Sequence, residues 1–368
     1  KVVRPRLADA EFFYNADKKQ TLESRLESLS TVLFQKQLGT LKDKSERISK
    51  LAGFIARNIS ANEELAERAG LLSKTDLMTE VVMEFTDIQG VMGKYYALND
   101  GEDAIVADAL YQQYMPRFAG DQLPTSLEAC AVALADKFDS LVGIFGIGQH
   151  PKGDKDPFAL RRAAIGAIRI LIEKELNLDF KAIIEFAVTL LEDKLTNDNV
   201  VTDVFEFMLG RFQAHYQEQG VKVEVIRAVE IKKPTSALDF ERRLKAVVSF
   251  AELNTAEALA AANKRVNNIL AKNGKGEFTQ VQAGLLTDEA EINLVDKLSA
   301  IEPNVKDAYD KGDYQQGLIT LAELREPIDK FFDEVMVMSD DEKVKNNRLA
   351  ILASLQVLFM HTADISVL

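Results

Sequence analysis

Apolar residues recur three and four positions apart along most of the chain, with Ala, Leu, Glu and Lys abundant between them. This period predicts a nearly all-α protein. The stretches that carry it are 33–57, 104–114, 127–141, 158–176, 180–193, 200–218, 239–249, 256–272, 288–309, 314–334 and 341–361. VKVEVI, at 221–226, alternates with period two instead. It is too short to carry a sheet and reads as one extended segment. Three interruptions divide the pattern: a Gly/Pro-rich loop at 146–157, KKPTS at 232–236 and a Gly-containing break at 273–276. They set the expected segments at 1–150, 151–232 and 233–368. The sequence carries no internal repeat, low-complexity tract or Ser-rich linker.

Composition narrows the class. A chain of 368 residues can bury at least one large core, and two or three domains are the default. No apolar run reaches the length of about 18 residues that a transmembrane helix needs. The single cysteine, Cys130, excludes an internal disulfide and fits a reducing cytoplasm. Its apolar helical surroundings mark it as a small core residue. The formal net charge of −13 argues against non-specific coating of nucleic acid or of an anionic membrane. One segment reverses that sign: 232–275 holds nine cations against four anions.

Two stretches carry candidate chemistry. In GIFGIGQHPKGDKDPFALRRAAIGAIR, at 143–169, glycines and prolines make a loop that runs into a helix. Asp156 is placed to cap it, Pro157 suits its first position, and Ala159, Leu160, Ala163, Ala164 and Ile168 form its apolar stripe. Lys152, Lys155, Arg161, Arg162 and Arg169 then surround a helix N-terminus, a spot suited to a phosphate. The competing reading is a capped turn with solvated charges. In ALAAANKRVNNILAK, at 258–272, Leu259, Ala262, Val266, Ile269 and Leu270 face inward. Lys264, Arg265, Asn267 and Asn268 remain as donors, the types that take RNA phosphates and unpaired base edges. Catalytic schemes fare worse. There is no P-loop, no Gly-rich dinucleotide turn and no GxSxG elbow. His150, His215 and His361 are the three histidines, which leaves few general bases.

The segment GIGQHPKGDKDPFALRRAA resembles the beta subunit of bacterial tetrameric glycyl-tRNA synthetase. So do the opening KVVRPRLADAEFFYNAD, then TVLFQKQLGTLKDKSERI, FTDIQGVMGKYYA, and the closing FFDEVMVMSDDEKVKNNRLAILASLQVLF. The resemblance runs over essentially the whole chain and is to the C-terminal part of a longer subunit. With no initiating Met, the chain reads as a fragment.

The resemblance implies an HD-like helical domain, then linking helices, then a helical anticodon-binding-like domain. In RAGLLSKTDLMTE, at 68–80, Ser73 and Lys74 stand where an HD-type His-Asp pair would hold a metal, and a lysine cation repels one. Asp136 is the candidate remnant of that site and Asp139 its neighbour. Asp9, Glu11, Asp76 and Glu80 are a conceivable carboxylate cluster. No metal site and no catalytic residue is expected in this chain. Near the end, Phe331, Phe332, Val335, Met336 and Met338 are expected in the core, and Asp340 or Asp341 caps a helix with Lys343, Lys345, Asn347 and Arg348 in its first turns. Arg348 has a second reading, holding the Asp341 end of the hairpin. Phe278 and Tyr309 are the loop-adjacent aromatics available for stacking.

The implied role is positioning tRNA-Gly while a partner alpha subunit, in an alpha2-beta2 tetramer in the cytoplasm, glycylates it. The whole enzyme uses ATP and Mg, and this chain holds no cofactor. The expected tRNA contacts are Lys152, Lys155, Arg161, Arg162, Arg242, Arg243, Lys264, Arg265, Asn268, Lys345 and Arg348. The alternatives are a metal-dependent HD-type phosphohydrolase and a helical scaffold without RNA contact.

Overall fold

The computed structural model describes residues 3–273 and 280–368. Among the described residues it is all-α apart from one short hairpin, and the chain divides into two compact units, Lys1–Phe212 and Gln213–Leu368.

The first unit opens with α1 (Val3–Asp17). The helix expected over 33–57 starts later than its period suggested. The β-branched and aromatic residues of TVLF favour extended backbone. There β1 (Leu33–Gln35) pairs antiparallel with β2 (Gly39–Thr40), and Gly39 takes φ 95°, which a side chain would disfavour. Thr40 then caps α2 (Leu41–Asn58). The Asp43 N–H donates to Thr40 Oγ1 at 3.3 Å, and the Thr40 N–H donates to Asp43 Oδ2 at 2.7 Å. Three helices outside the periodic stretches follow: α3 (Glu63–Leu72), α4 (Glu80–Glu84) and α5 (Val91–Asp100). After α6 (Ala104–Gln112) comes α7 (Leu127–Gly146), buried at every position from Ala129 to Ala135. Its run of small residues lets α2, α3 and α6 approach closely, together with α8 (Leu160–Glu173) and α9 (Phe180–Thr189). Cys130 lies in this core, where burial pushes its thiol up to about 11. Because α8 and α9 pack on α7, residues 160–189 belong to the first unit. They are not part of a separate linking segment over 151–232.

The chain passes into the second unit within α10 (Val200–Glu218). The stretch expected to be extended is α11 (Val223–Glu230). Its buried residues Val225, Ile226, Ala228 and Val229 make a helical face that continues past the six alternating positions. Then come α12 (Ala237–Ala251), α13 (Ala256–Lys272) and α14 (Glu289–Asp310). The period over 314–334 is carried by two helices, α15 (Tyr314–Ala322) and α16 (Arg325–Glu334). Pro327 explains the break. It has no N–H to continue the α15 ladder, but it fits the first turn of a new helix. The last long helix is α17 (Glu342–Thr362). Phe240, Phe250, Leu294, Leu318, Phe331 and Phe359 are buried in this unit's core. Among the described residues, no helix is long and apolar enough to cross a membrane.

Candidate nucleic-acid interface

In the first unit, the position compared with a His-Asp metal pair is filled by a buried charge network. Lys44 Nζ lies 3.0 Å from Asp136 Oδ1, 2.9 Å from Asp139 Oδ2 and 2.8 Å from Ser140 Oγ. Lys74 Nζ lies 3.3 Å from Asp136 Oδ2 and donates to Gln113 Oε1 at 2.7 Å. Arg47 closes the other side with its Nε 2.5 Å from Asp139 Oδ1. Burial works against the Asp136 anion, yet the ammonium groups of Lys44, Lys74 and Lys137 hold its carboxyl well below the usual range. Burial pushes Lys74 below its ordinary value and Lys137 down to about 8. Asp136, the candidate remnant, and its neighbour Asp139 are thus both engaged by cations. Among the described residues, no three His, Cys, Asp or Glu side chains gather as metal donors. Asp9, Glu11 and Glu80 are exposed, while Asp76 is buried and accepts the Gly90 N–H at 2.5 Å. This donor set does not suit the phosphohydrolase reading.

The loop-to-helix stretch at 143–169 does not present an open anion site. Asp156 accepts the N–H groups of Leu160 at 2.9 Å and Arg161 at 3.0 Å, so the chain's own carboxylate occupies the helix N-terminus. Pro157 precedes the helix, which starts at Leu160 after Ala159 at φ 53°. Arg161 donates to the Gly153 carbonyl and ties the loop. Arg169 pairs with Glu173 at 2.7 Å and reaches the Asp121 carbonyl at 3.1 Å. Lys152 and Lys155 bond each other through their backbones and expose their side chains, and Arg162 is exposed as well. The expected phosphate cradle is therefore corrected to a capped, self-tied turn.

In the second unit α13 sorts its faces as expected in outline. Leu259 and Val266 are buried, while Ala262, Ile269 and Leu270 are half-buried. Ala261, Lys264, Arg265, Asn268 and Lys272 recur at helical spacing and are all exposed. Lys264, Arg265 and Lys272 form no ion pair among the described residues. The Arg265 guanidinium lies over the Phe332 ring at 4.3 Å, which holds the side chain in place without neutralising it. Asn267 is unavailable, because it donates to Ser366 Oγ at 3.1 Å and accepts from Gln356 Nε2 at 2.6 Å. Arg242, on α12, is also exposed and forms no ion pair among the described residues.

Other expected contacts have structural work instead. Arg243 pairs with Asp239 at 2.7 Å, donates to the Thr362 carbonyl at 3.0 Å and to Tyr314 Oη at 2.9 Å. Arg348 is buried. It pairs with Glu291 and with Asp288 Oδ2 at 2.5 Å, and donates to the Met336 carbonyl at 2.7 Å. Its partners lie at the start of α14, not at Asp341 as the second reading had it. Asn347 is tied to the Gln282 backbone, and Lys345 pairs loosely with Glu342 at 3.5 Å. Asp341, as expected, caps α17. Phe331 and Val335 are core, but Met336 and Met338 are exposed. Tyr309 is no stacking platform: its hydroxyl donates to the Leu358 carbonyl at 3.0 Å, and His361 stacks on its ring at 4.3 Å. Phe278 and Lys275 lie outside the described residues. The sequence reading missed the Lys44–Arg47–Asp139 cluster. Asp139 lies more than ninety residues from the two cations, and no local pattern joins them.

A family model described as glycyl-tRNA synthetase beta subunit matches residues 1–230. Another, described as DALR anticodon binding domain, matches residues 259–365, which include α13 to α17 but for the first three residues of α13. Curated proteins named glycine–tRNA ligase beta subunit are similar along the whole chain. That of Pseudoalteromonas translucida is 65% identical over 368 residues, and that of Aeromonas hydrophila 62% over 369. That of Sodalis glossinidius is 59% identical over 368 residues. Each comparison covers 100% of this chain and 53% of the relative, so the chain spans about half the length of the curated relatives it matches.

Proposed function

From the premise that this chain belongs to the glycyl-tRNA synthetase beta subunit family, we propose that it holds tRNA-Gly through the exposed face of α13. Lys264, Arg265 and Lys272 meet backbone phosphates, and Asn268 offers its amide to unpaired base edges. Arg242 adds a further phosphate contact. Activation of glycine with ATP and Mg takes place on a partner alpha subunit of an alpha2-beta2 cytoplasmic enzyme. The contribution of this chain is positioning, since a displacement of about 1 Å at a reacting centre can cost about 10²-fold in rate.

One observation supports this reading above the others. The α13 face keeps its cations clear of carboxylates while Arg243, Lys245 and Arg348 are neutralised by theirs, and the face lies within the segment matched by the anticodon-binding description. Ribonuclease footprinting tests it. The anticodon stem-loop of tRNA-Gly is expected to be protected by the native protein and to lose protection when Lys264 and Arg265 are both replaced by Ala. Protection that persists in this variant removes α13 from the interface.

A further inference from the structure

A cavity of about 440 Å³ opens in the first unit beside the buried charge network. This volume falls in the range of about 300–1,000 Å³ typical of small-molecule sites. Three cationic side chains line it: Arg117, Lys137 and Arg162. Neither arginine forms an ion pair among the described residues, and both are exposed at the rim. Lys137 is more telling. Its side chain is buried, and Nζ donates to the carbonyls of Met115 at 2.8 Å and Ala133 at 3.4 Å. Among the described residues no carboxylate pairs with it directly. Asp136 acts on this ammonium only without direct contact and is shared with Lys44 and Lys74, so an anion in the adjoining cavity would add to the balance of a buried charge. The lining carboxylate Asp136 does not oppose an incoming anion strongly, since Lys44 and Lys74 already hold it.

The remaining wall is not that of a bare phosphate site. Phe158 contributes aromatic surface, which suits a flat heterocycle, and the Tyr114 ring also lines the wall with Lys74 Nζ over one face at 4.7 Å. Asp87 is exposed, lines the cavity and has no ion pair among the described residues; a carboxylate there accepts from sugar hydroxyls. From this combination of cations, aromatic wall and one uncompensated carboxylate, we propose that the cavity binds a nucleoside 5′-monophosphate. Its phosphate meets Arg117, Arg162 and Lys137, and its base lies against Phe158. The site is independent of the α13 reading, because it uses other residues of the other unit and a different ligand.

Titration calorimetry with adenosine 5′-monophosphate tests this on the whole protein without tRNA. Saturable binding at one site is expected, with adenosine and inorganic phosphate each weaker by about tenfold or more, since each lacks half of the contacts. The double variant Arg117→Ala/Arg162→Ala changes only exposed side chains, and it should lose affinity by about tenfold or more. Ala163→Trp, which fills the cavity, should abolish binding. Absence of saturable binding at millimolar nucleotide overturns the proposal, and so does equal affinity in the native protein and the arginine double variant.

Discussion

Lys74 and Arg348, set against Arg265, show how the same kind of side chain takes opposite roles according to its surroundings. Both are buried cations held by carboxylates, Lys74 by Asp136 and Arg348 by Glu291 and Asp288. Arg265 is exposed and rests on an aromatic ring. Removing one partner of a buried pair leaves an uncompensated charge. Arg348→Ala is therefore expected to destabilise the second unit by about 3–5 kcal/mol in urea unfolding, because Glu291 is fully buried. Arg265→Ala should shift stability by less than about 1 kcal/mol. A large loss for Arg265→Ala and none for Arg348→Ala would reverse the assignment of structural and surface roles. The carboxyls of Asp136 and Asp139 both stand below the ordinary aspartate range in the folded state, held there against burial by their cations. Their contribution to stability is thus present above the unfolded-state value of about 3.9 and lost as pH falls below it. Acid unfolding followed by circular dichroism should show the first unit losing stability below about pH 4, and Asp139→Asn should flatten that dependence while costing stability at neutral pH. None of these pairings was legible from the residues alone. A cation on a helix reads the same in sequence whether it meets solvent or a carboxylate ninety residues away.

At the scale of elements the sequence was more informative, and its failures have physical causes. The bounds of α10 and α13 coincide with the periodic stretches 200–218 and 256–272. Their apolar spacing and cores agree, so local pattern and packing point the same way. At 33–57 the helical period extended over residues that form a hairpin, because Thr40 and Asp43 cap a helix that starts after Gly39. The capping box predicts a measurable loss. Thr40→Ala should destabilise the first unit by about 1 kcal/mol, read from its urea midpoint, and an unchanged midpoint would mean that tertiary contacts alone set the start of α2. α5 was missed because its small and mixed-polarity residues show little stripe of their own, while α3 fell outside the periodic stretches although Ala66, Ala69, Gly70 and Leu72 make a buried face. The α13 face was legible as a set of cations, yet the exclusion of Asn267 from it was not. That residue lies at the edge of the face, and only the folded unit brings Ser366 and Gln356 to it.

For the molecule as a whole, the informative quantity is the contrast of charge. The chain carries a net charge of −13, yet 232–275 reverses the sign, and α13 exposes its share of those cations. An acidic body repels nucleic acid at large, while a local basic strip attracts it where contacts are specific. The whole-chain charge alone would have pointed away from RNA; the local segment and the family resemblance pointed toward it. The central claim is that α13 grips transfer RNA through its phosphates. Its most direct test is the salt dependence of tRNA-Gly affinity, compared between the native protein and Lys264→Ala/Arg265→Ala/Lys272→Ala. Each phosphate contact contributes a slope of about 0.7–0.9 in log affinity against log salt, so the variant is predicted to bind more weakly with a slope shallower by about 2. Equal slopes for the two proteins would contradict the account.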